Sequence, residues 1–328
     1  MSVSILRGLV AFSLSLSLMG ASSSAVALAS TANTVEVPQQ ILKSGINLST
    51  STLCPNSQQL ADQLNLTPLL TRIQELRALT AQQRGQNTLE SLSNRVALQE
   101  TLDQARAIIF QTAMEADFVS AEVQAEQNVY AEVLASYQAS RDKMVAGVNA
   151  VSFITNGLLW AVSCGLAVPT YKYPGYSVQS GVTGIIAGMV PSLASMYALK
   201  AYSGKKRTSE KEPNMLAKLF DYPTNSEIEY PASVWKFLTS VPAEGGGKTR
   251  KEELIERWVS DKNIPSFTDS KAKKQLDILT ASEARKKGLS IDSLNTRIVM
   301  LEQLDGEVGK MKRLLLELAM AVNGIKQI

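Results

Sequence analysis

Leu102, Ile109, Ala116, Val123, Tyr130, Tyr137 and Met144 recur at every seventh residue, with mostly polar sequence between them. Ala105, Val119 and Val133 hold the companion position three residues on, and Thr112 and Glu126 interrupt that second row. A seven-residue repeat keeps one face of an α-helix apolar, so it predicts a coiled-coil seam or a long bundle helix. No proline lies between Pro68 and Pro169. A helix over residues 88–168 is therefore unbroken, and at the standard rise it is about 120 Å long. The end of the chain repeats the pattern. Leu294, Leu301, Val308, Leu315 and Val322 hold one heptad position and Leu304, Met311, Leu318 and Ile325 the other, with only Arg297 out of character. This predicts a helix over residues 291–322.

Shorter elements surround these two. Residues 30–56, rich in Ser, Thr, Asn and Pro, read as an irregular leader. Helix is expected from Ser57 and again from Thr67, an apt N-cap before Pro68, with Leu69, Ile73, Leu76 and Leu79 as its stripe. After Gly85, Asn87 and Glu90 have the spacing of a capping box. Residues 203–289 carry Pro213, Pro223 and Pro231 and read as a linker with short helical pieces. One piece begins at Pro231 with Val234, Phe237, Leu238 and Val241 as its face, and another covers residues 250–260. No strand and no repeat of module length stands out.

Between the two heptad regions lie two stretches free of charge, residues 145–168 and 178–199. About 20 apolar residues cross a bilayer as a helix, and both stretches reach that length. Their connector, residues 169–177, holds Pro169, Pro174 and Gly175, with Tyr171, Tyr173 and Tyr176 placed as interfacial anchors. Gly157, Ala161 and Gly165 on the first stretch, and Gly184, Gly188 and Ser192 on the second, recur every fourth residue. Such small faces let two membrane helices approach closely, so these six are the expected helix-packing residues. Asn149 and Asn156 should face the partner helix or a water-filled path. Pro191 should kink the second helix. A buried pair in a soluble bundle is the competing expectation, supported by Asn149, Ser152, Thr155, Asn156 and Ser163 and opposed by the absence of charge.

The expected fold class is all-α, with long coiled-coil-like helices flanking a central two-helix transmembrane hairpin. The expected division is a signal peptide (1–29), a leader (30–56), an N-terminal helical arm (57–144), an apolar hairpin (145–202), a linker (203–289) and a C-terminal helix (290–328). The signal reading rests on Arg7, the apolar run at residues 9–20, and the small-residue sites Ala25-Val26-Ala27 and Ala27-Leu28-Ala29. Cleavage there predicts a mature start at Leu28 or Ser30, and export. Topology signals disagree. Export puts both arms outside, whereas Lys200, Lys205, Lys206, Arg207 and Lys211 after the second stretch favour the inner side.

Composition excludes several chemistries. The chain has no histidine, so Ser-His-Asp triads and His-ligated metals are ruled out. Cys54 and Cys164 make no disulfide framework and read as ordinary thiols. Residues 30–144 carry eight Lys and Arg against twelve Asp and Glu, whereas residues 203–328 carry twenty-two against eighteen. Arms of −4 and +4 attract each other, and neither is basic enough for nucleic acid. Residues 245–249, Gly-Gly-Gly-Lys-Thr, end like a phosphate-binding loop, but Pro242 stands where the motif needs glycine. No cofactor, metal or catalytic group is expected, and the chain reads as a non-enzyme.

Two functions remain. One is an exported membrane protein with a hairpin anchor and a coiled-coil body, structural or partner-binding in the cell envelope. The other follows from layout: long amphipathic helices flanking a central apolar hairpin resemble the architecture of the α-helical pore-forming toxins. That resemblance implies a secreted protein that inserts residues 145–202 into a target membrane. The partners expected are the lipid bilayer and, through the heptad seams, a second copy or another helical protein.

Overall fold

The computed structural model describes residues 45–202, 207–208, 213–224, 229–264, 270–281 and 287–327. The expected export signal (1–29) and residues 30–44 of the expected leader lie outside them. Helix α1 (Pro55–Gln63) starts at Pro55 rather than Ser57, because Cys54 caps it: its Sγ accepts from the Ser57 N–H at 3.4 Å. Helix α2 (Thr67–Gln82) has Leu66 at its cap position with no side-chain capping bond. Thr67, expected as the cap, instead turns its hydroxyl to the Asp62 carboxylate.

Helix α3 (Leu89–Ala167) is one continuous helix of 79 residues. Its cap is Thr88, not Asn87. Thr88 is extended, and its Oγ1 accepts from the Ser91 N–H at 3.2 Å. A 3-10 turn (Val168–Tyr171) follows, and α4 (Tyr176–Tyr202) then runs back beside the last third of α3, helical on both sides of Pro191. Four short helices come next: α5 (Leu216–Leu219), α6 (Ala232–Leu238), α7 (Arg250–Ser260) and α8 (Ser270–Leu279). The last is α9 (Ile291–Val322), opened by a capping box between Ser290 and Ser293. Extended structure among the described residues amounts to β1 (Arg207–Thr208) antiparallel to β2 (Lys287–Leu289), and a parallel bridge between Thr52 and Gln327. The fold is all-helical.

The core forms where α9 lies along the first half of α3. Leu102, Ala105, Ile109, Ala116, Val119 and Val123 are buried, as are Leu294, Leu301, Leu304, Val308, Met311 and Leu318. At ~25 cal/mol per Å² of apolar surface removed from water, this contact dominates the cohesion of the body. Both seams are consumed within one chain.

Residues 203–289, expected as a linker, supply part of this core. Phe237, Leu238, Leu254 and Trp258 are fully buried among the seam residues. Proline and charge make the segment look open in one dimension, yet each short helix turns one apolar face inward. Val241 lies beyond the end of α6 and stays exposed.

Arg297, the misfit in the last seam, is buried beside Tyr130. Its guanidinium lies 4.9 Å from the Tyr130 ring centroid and donates to the Ile278 carbonyl near the end of α8. Ile325 misses the seam because the helix has stopped. Gly324 takes φ 79°, the left-handed conformation that terminates helices, and Ile325 is exposed.

The tail beyond α9 is tied to residues 47–54. Lys326 is buried and pairs with Glu317; its Nζ also donates to the carbonyls of Asn47 (2.7 Å) and Thr52 (3.2 Å). Glu317 also accepts from the Cys54 N–H at 3.2 Å.

Candidate membrane-facing surface

Beyond Met144 the surroundings of α3 change. Phe153 is 81% exposed, and Val151, Ile154, Leu158, Trp160 and Val162 are exposed with it. On α4, Val178, Ile185, Met189, Leu193 and Met196 are exposed in the same way. Monomeric soluble proteins rarely leave contiguous apolar surface beyond a few hundred Å² open to water. Among the described residues, α3 is the helix long and apolar enough to cross a membrane, and its most apolar 18-residue stretch is only 6% buried. A core helix of a soluble bundle passes the same length test, but it is mostly buried. This one is not.

Where α3 and α4 meet, two serines clasp the helices together. The Ser163 hydroxyl donates to the Ser180 carbonyl at 2.8 Å, and the Ser180 hydroxyl donates to the Ser163 carbonyl at 2.8 Å. Gly184 sits against this clasp, where an added Cβ would stand 3.3 Å from Ser163 Oγ. Ala187, one turn on, is fully buried. Oδ1 of Asn156 is shut off from solvent inside the pair with no hydrogen-bond partner. Asn149, in contrast, is exposed.

Of the six small residues picked out by spacing, the structure brings only Gly184 into this contact. An added Cβ at Gly157, Gly165 or Gly188 would meet nothing within 4 Å, and Ala161 and Ser192 are exposed. The α3 side of the contact is instead Ser152, Asn156, Leu159, Ser163 and Leu166, all wholly or partly buried. Sequence reasoning did not place Ser163 and Ser180 opposite each other. The available signal was that Ser152, Leu159 and Leu166 share a heptad position, one residue past the row that runs through Tyr130, Tyr137 and Met144.

At the connector, Tyr173 and Tyr176 are exposed and meet edge to face with ring centroids 6.5 Å apart. Lys172 Nζ lies 5.9 Å from the centre of the Tyr173 ring. Cys164 is exposed on the apolar surface and Cys54 is buried in the body. Burial raises the Cys54 thiol above its ordinary value, which keeps it protonated.

The phosphate-loop-like segment forms a helix cap. Thr249 accepts from the Glu252 N–H at 3.2 Å, and Glu252 Oε2 accepts from the Thr249 N–H at 2.8 Å. Lys248 pairs with Glu256 at 2.6 Å. Among the described residues no group of three Cys, Asp or Glu side chains is placed to hold a metal ion. Comparison of the chain with protein-family models, with curated proteins and with solved structures found no match.

Proposed function

We propose that this chain is an exported integral membrane protein in which the last third of α3 and α4 form a transmembrane hairpin. The hairpin anchors a coiled-coil-like helical body with a structural or partner-binding role in the cell envelope. One observation carries the reading: the most apolar stretch of α3 is 6% buried, so no described part of the chain covers it. A bilayer is the environment in which that surface costs least.

Two further features support it. A hairpin returns the chain to the side it left, and the first half of α3 packs on α9, which follows the hairpin. Both arms then share one compartment. The connector carries its tyrosines and Lys172 at the far end of the pair, the position of interfacial anchors. The role is non-enzymatic, with Lys248 and Thr249 committed to a salt bridge and a helix cap.

Fractionation of cells expressing the full chain tests this. The protein is expected in the membrane pellet and to resist extraction with alkaline carbonate. A soluble protein in the medium that becomes membrane-bound only on target vesicles would replace the anchor with the pore-forming alternative. Release by carbonate from every membrane would remove both.

A further inference from the structure

The ribbon β1–β2 joins two basic runs that lie far apart in the chain. Arg207 ends the run Lys205-Lys206-Arg207, and Lys287 ends the run Arg285-Lys286-Lys287. The antiparallel register pairs Arg207 with Leu289 and Thr208 with Lys287, so folding brings the two cationic positions side by side. Glu210 and Glu283 flank the runs in sequence and leave each run itself free of acid. The level of the ribbon follows from the helices that frame it. On α3 and α9 the facing residues are Arg106 and Asn323, Asp117 and Lys312, Gln124 and Asp305, then Tyr130 and Arg297. Carried on at equal rise along both helices, Ile291 falls level with about residue 137 of α3. Leu289 of β2, just before it, is buried in the same core. On the other side, β1 begins five residues after α4 ends at Tyr202. The Ser163–Ser180 register sets Tyr202 level with about residue 141 of α3. Both routes put the ribbon at the base of the hairpin, within about 12 Å of the start of the charge-free stretch at residue 145. Lys143 is exposed at that level, and Lys200 lies in the last turn of α4. Asp142, the acid beside Lys143, is paired with Arg141 at 2.8 Å. The opposite end of the hairpin has Lys172 alone.

We propose that this ribbon, together with Lys143 and Lys200, is a binding site for the phosphate headgroups of anionic phospholipids. The inference rests on the membrane reading above and names the lipid class that the base of the hairpin takes. With residues 145–168 in the hydrocarbon, the ribbon stands at headgroup depth, where the phosphodiester is the abundant anion. Lysine and arginine near an anionic leaflet are held by its surface potential, and clusters beside a membrane helix recognise acidic lipids in this way. The attraction fades over about 8 Å at physiological ionic strength, so it acts at the base of the hairpin and not at the distant end of the body. Free phosphate offers the same chemistry without the depth, which is why the two sources are separable by experiment.

The full chain, purified in mild detergent and titrated with phosphatidylglycerol or phosphatidylcholine, tests this by native mass spectrometry of bound lipid. The parent should bind phosphatidylglycerol about tenfold more tightly than phosphatidylcholine, and the preference should shrink as salt rises. Arg207→Ser with Lys287→Ser should lose most of the preference. Arg84→Ser with Arg95→Ser, exposed cations near the start of α3, should keep it. The charge-conserving pair Arg207→Lys with Lys287→Arg should keep it too. A loss there as large as in the serine pair would make the effect one of ribbon structure and overturn the site. Equal binding of the two lipids by the parent, or an equal loss in the Arg84 and Arg95 control, also overturns it. Displacement of phosphatidylglycerol by inorganic phosphate, where chloride of the same ionic strength leaves it bound, would make free phosphate the ligand and overturn the lipid. Carbonate extraction of cell membranes separates the failures. Retention without lipid preference sinks this inference alone, whereas release sinks the membrane reading with it.

Discussion

Ser163 and Ser180 bind each other's backbones reciprocally, each hydroxyl donating to the other residue's carbonyl at 2.8 Å. Both serines thereby satisfy their hydroxyls inside an apolar helix pair, and they fix its antiparallel register. Replacing both with alanine should loosen the pair. A hydrogen bond between membrane helices contributes about 0.6 kcal/mol, so the double variant should lose roughly 1 kcal/mol of stability in detergent. A double-mutant cycle on thermal unfolding reads the coupling; additive single effects would mean that the bonds do not act as a pair.

Gly184 and Gly188 should respond differently to leucine. At Gly184 a new side chain meets Ser163 Oγ at once, and at Gly188 it meets nothing within 4 Å. The register set by the serines brings Asn156 level with Ala187. A disulfide between Asn156→Cys and Ala187→Cys should form readily in the parent and with Gly188→Leu, and poorly with Gly184→Leu. Equal trapping in all three would show that Gly184 is not in the contact.

Glu317 makes the body acid-sensitive. Burial works to raise its carboxyl, but hydrogen bonds from Lys326, Ser57 and Cys54 outweigh that and hold it below its ordinary 4.5. A carboxyl depressed by folding adds stability above its unfolded value, and that stability is lost as pH falls through the folded value. Thermal stability should therefore drop below about pH 4.5. Glu317→Gln should cost about 3 kcal/mol at neutral pH, as breaking a buried pair does, and should flatten the acid limb. An unchanged acid limb in the variant would place the sensitivity elsewhere.

Truncation after Gly288 removes α9 and uncovers Leu102, Ile109, Ala116 and Val123 together. The truncated chain should aggregate or be cleaved by protease within the first half of α3. If it keeps the protease resistance and the helicity per residue of the full chain, the two arms do not depend on each other.

Much of the local structure follows from periodicity and punctuation alone. Residues 88–168 were expected as one helix and Leu89–Ala167 is one; residues 291–322 were expected and Ile291–Val322 is observed. Long uninterrupted repeats bounded by Pro169, Gly324 and capping side chains define these ends through backbone chemistry close in sequence, which is why they are legible there. Caps chosen by motif fared worse. Thr88, in extended conformation, displaced Asn87, and Leu66 took the position expected of Thr67 without a side-chain capping bond, because Thr67 turns its hydroxyl to Asp62.

Which partner covers each apolar face was decided only in three dimensions. A stripe states that one side of a helix avoids water, and it is silent on whether another helix, lipid or a second chain lies there. Gly157, Ala161 and Gly165 show this most clearly: their spacing marks a close-packing face, but Ser163 and Ser180 set a register that turns them away from α4. Trp258 shows the converse, a residue in a segment with the composition of a linker that ends fully buried in the core. Arg297 fits a hydrophobic seam only because folding brings the Tyr130 ring and the Ile278 carbonyl to it. The helices and their apolar sides are legible along the chain because they depend on neighbours a few residues away. The pairing of those sides is not, because burial depends on groups distant in the chain that meet only when it folds.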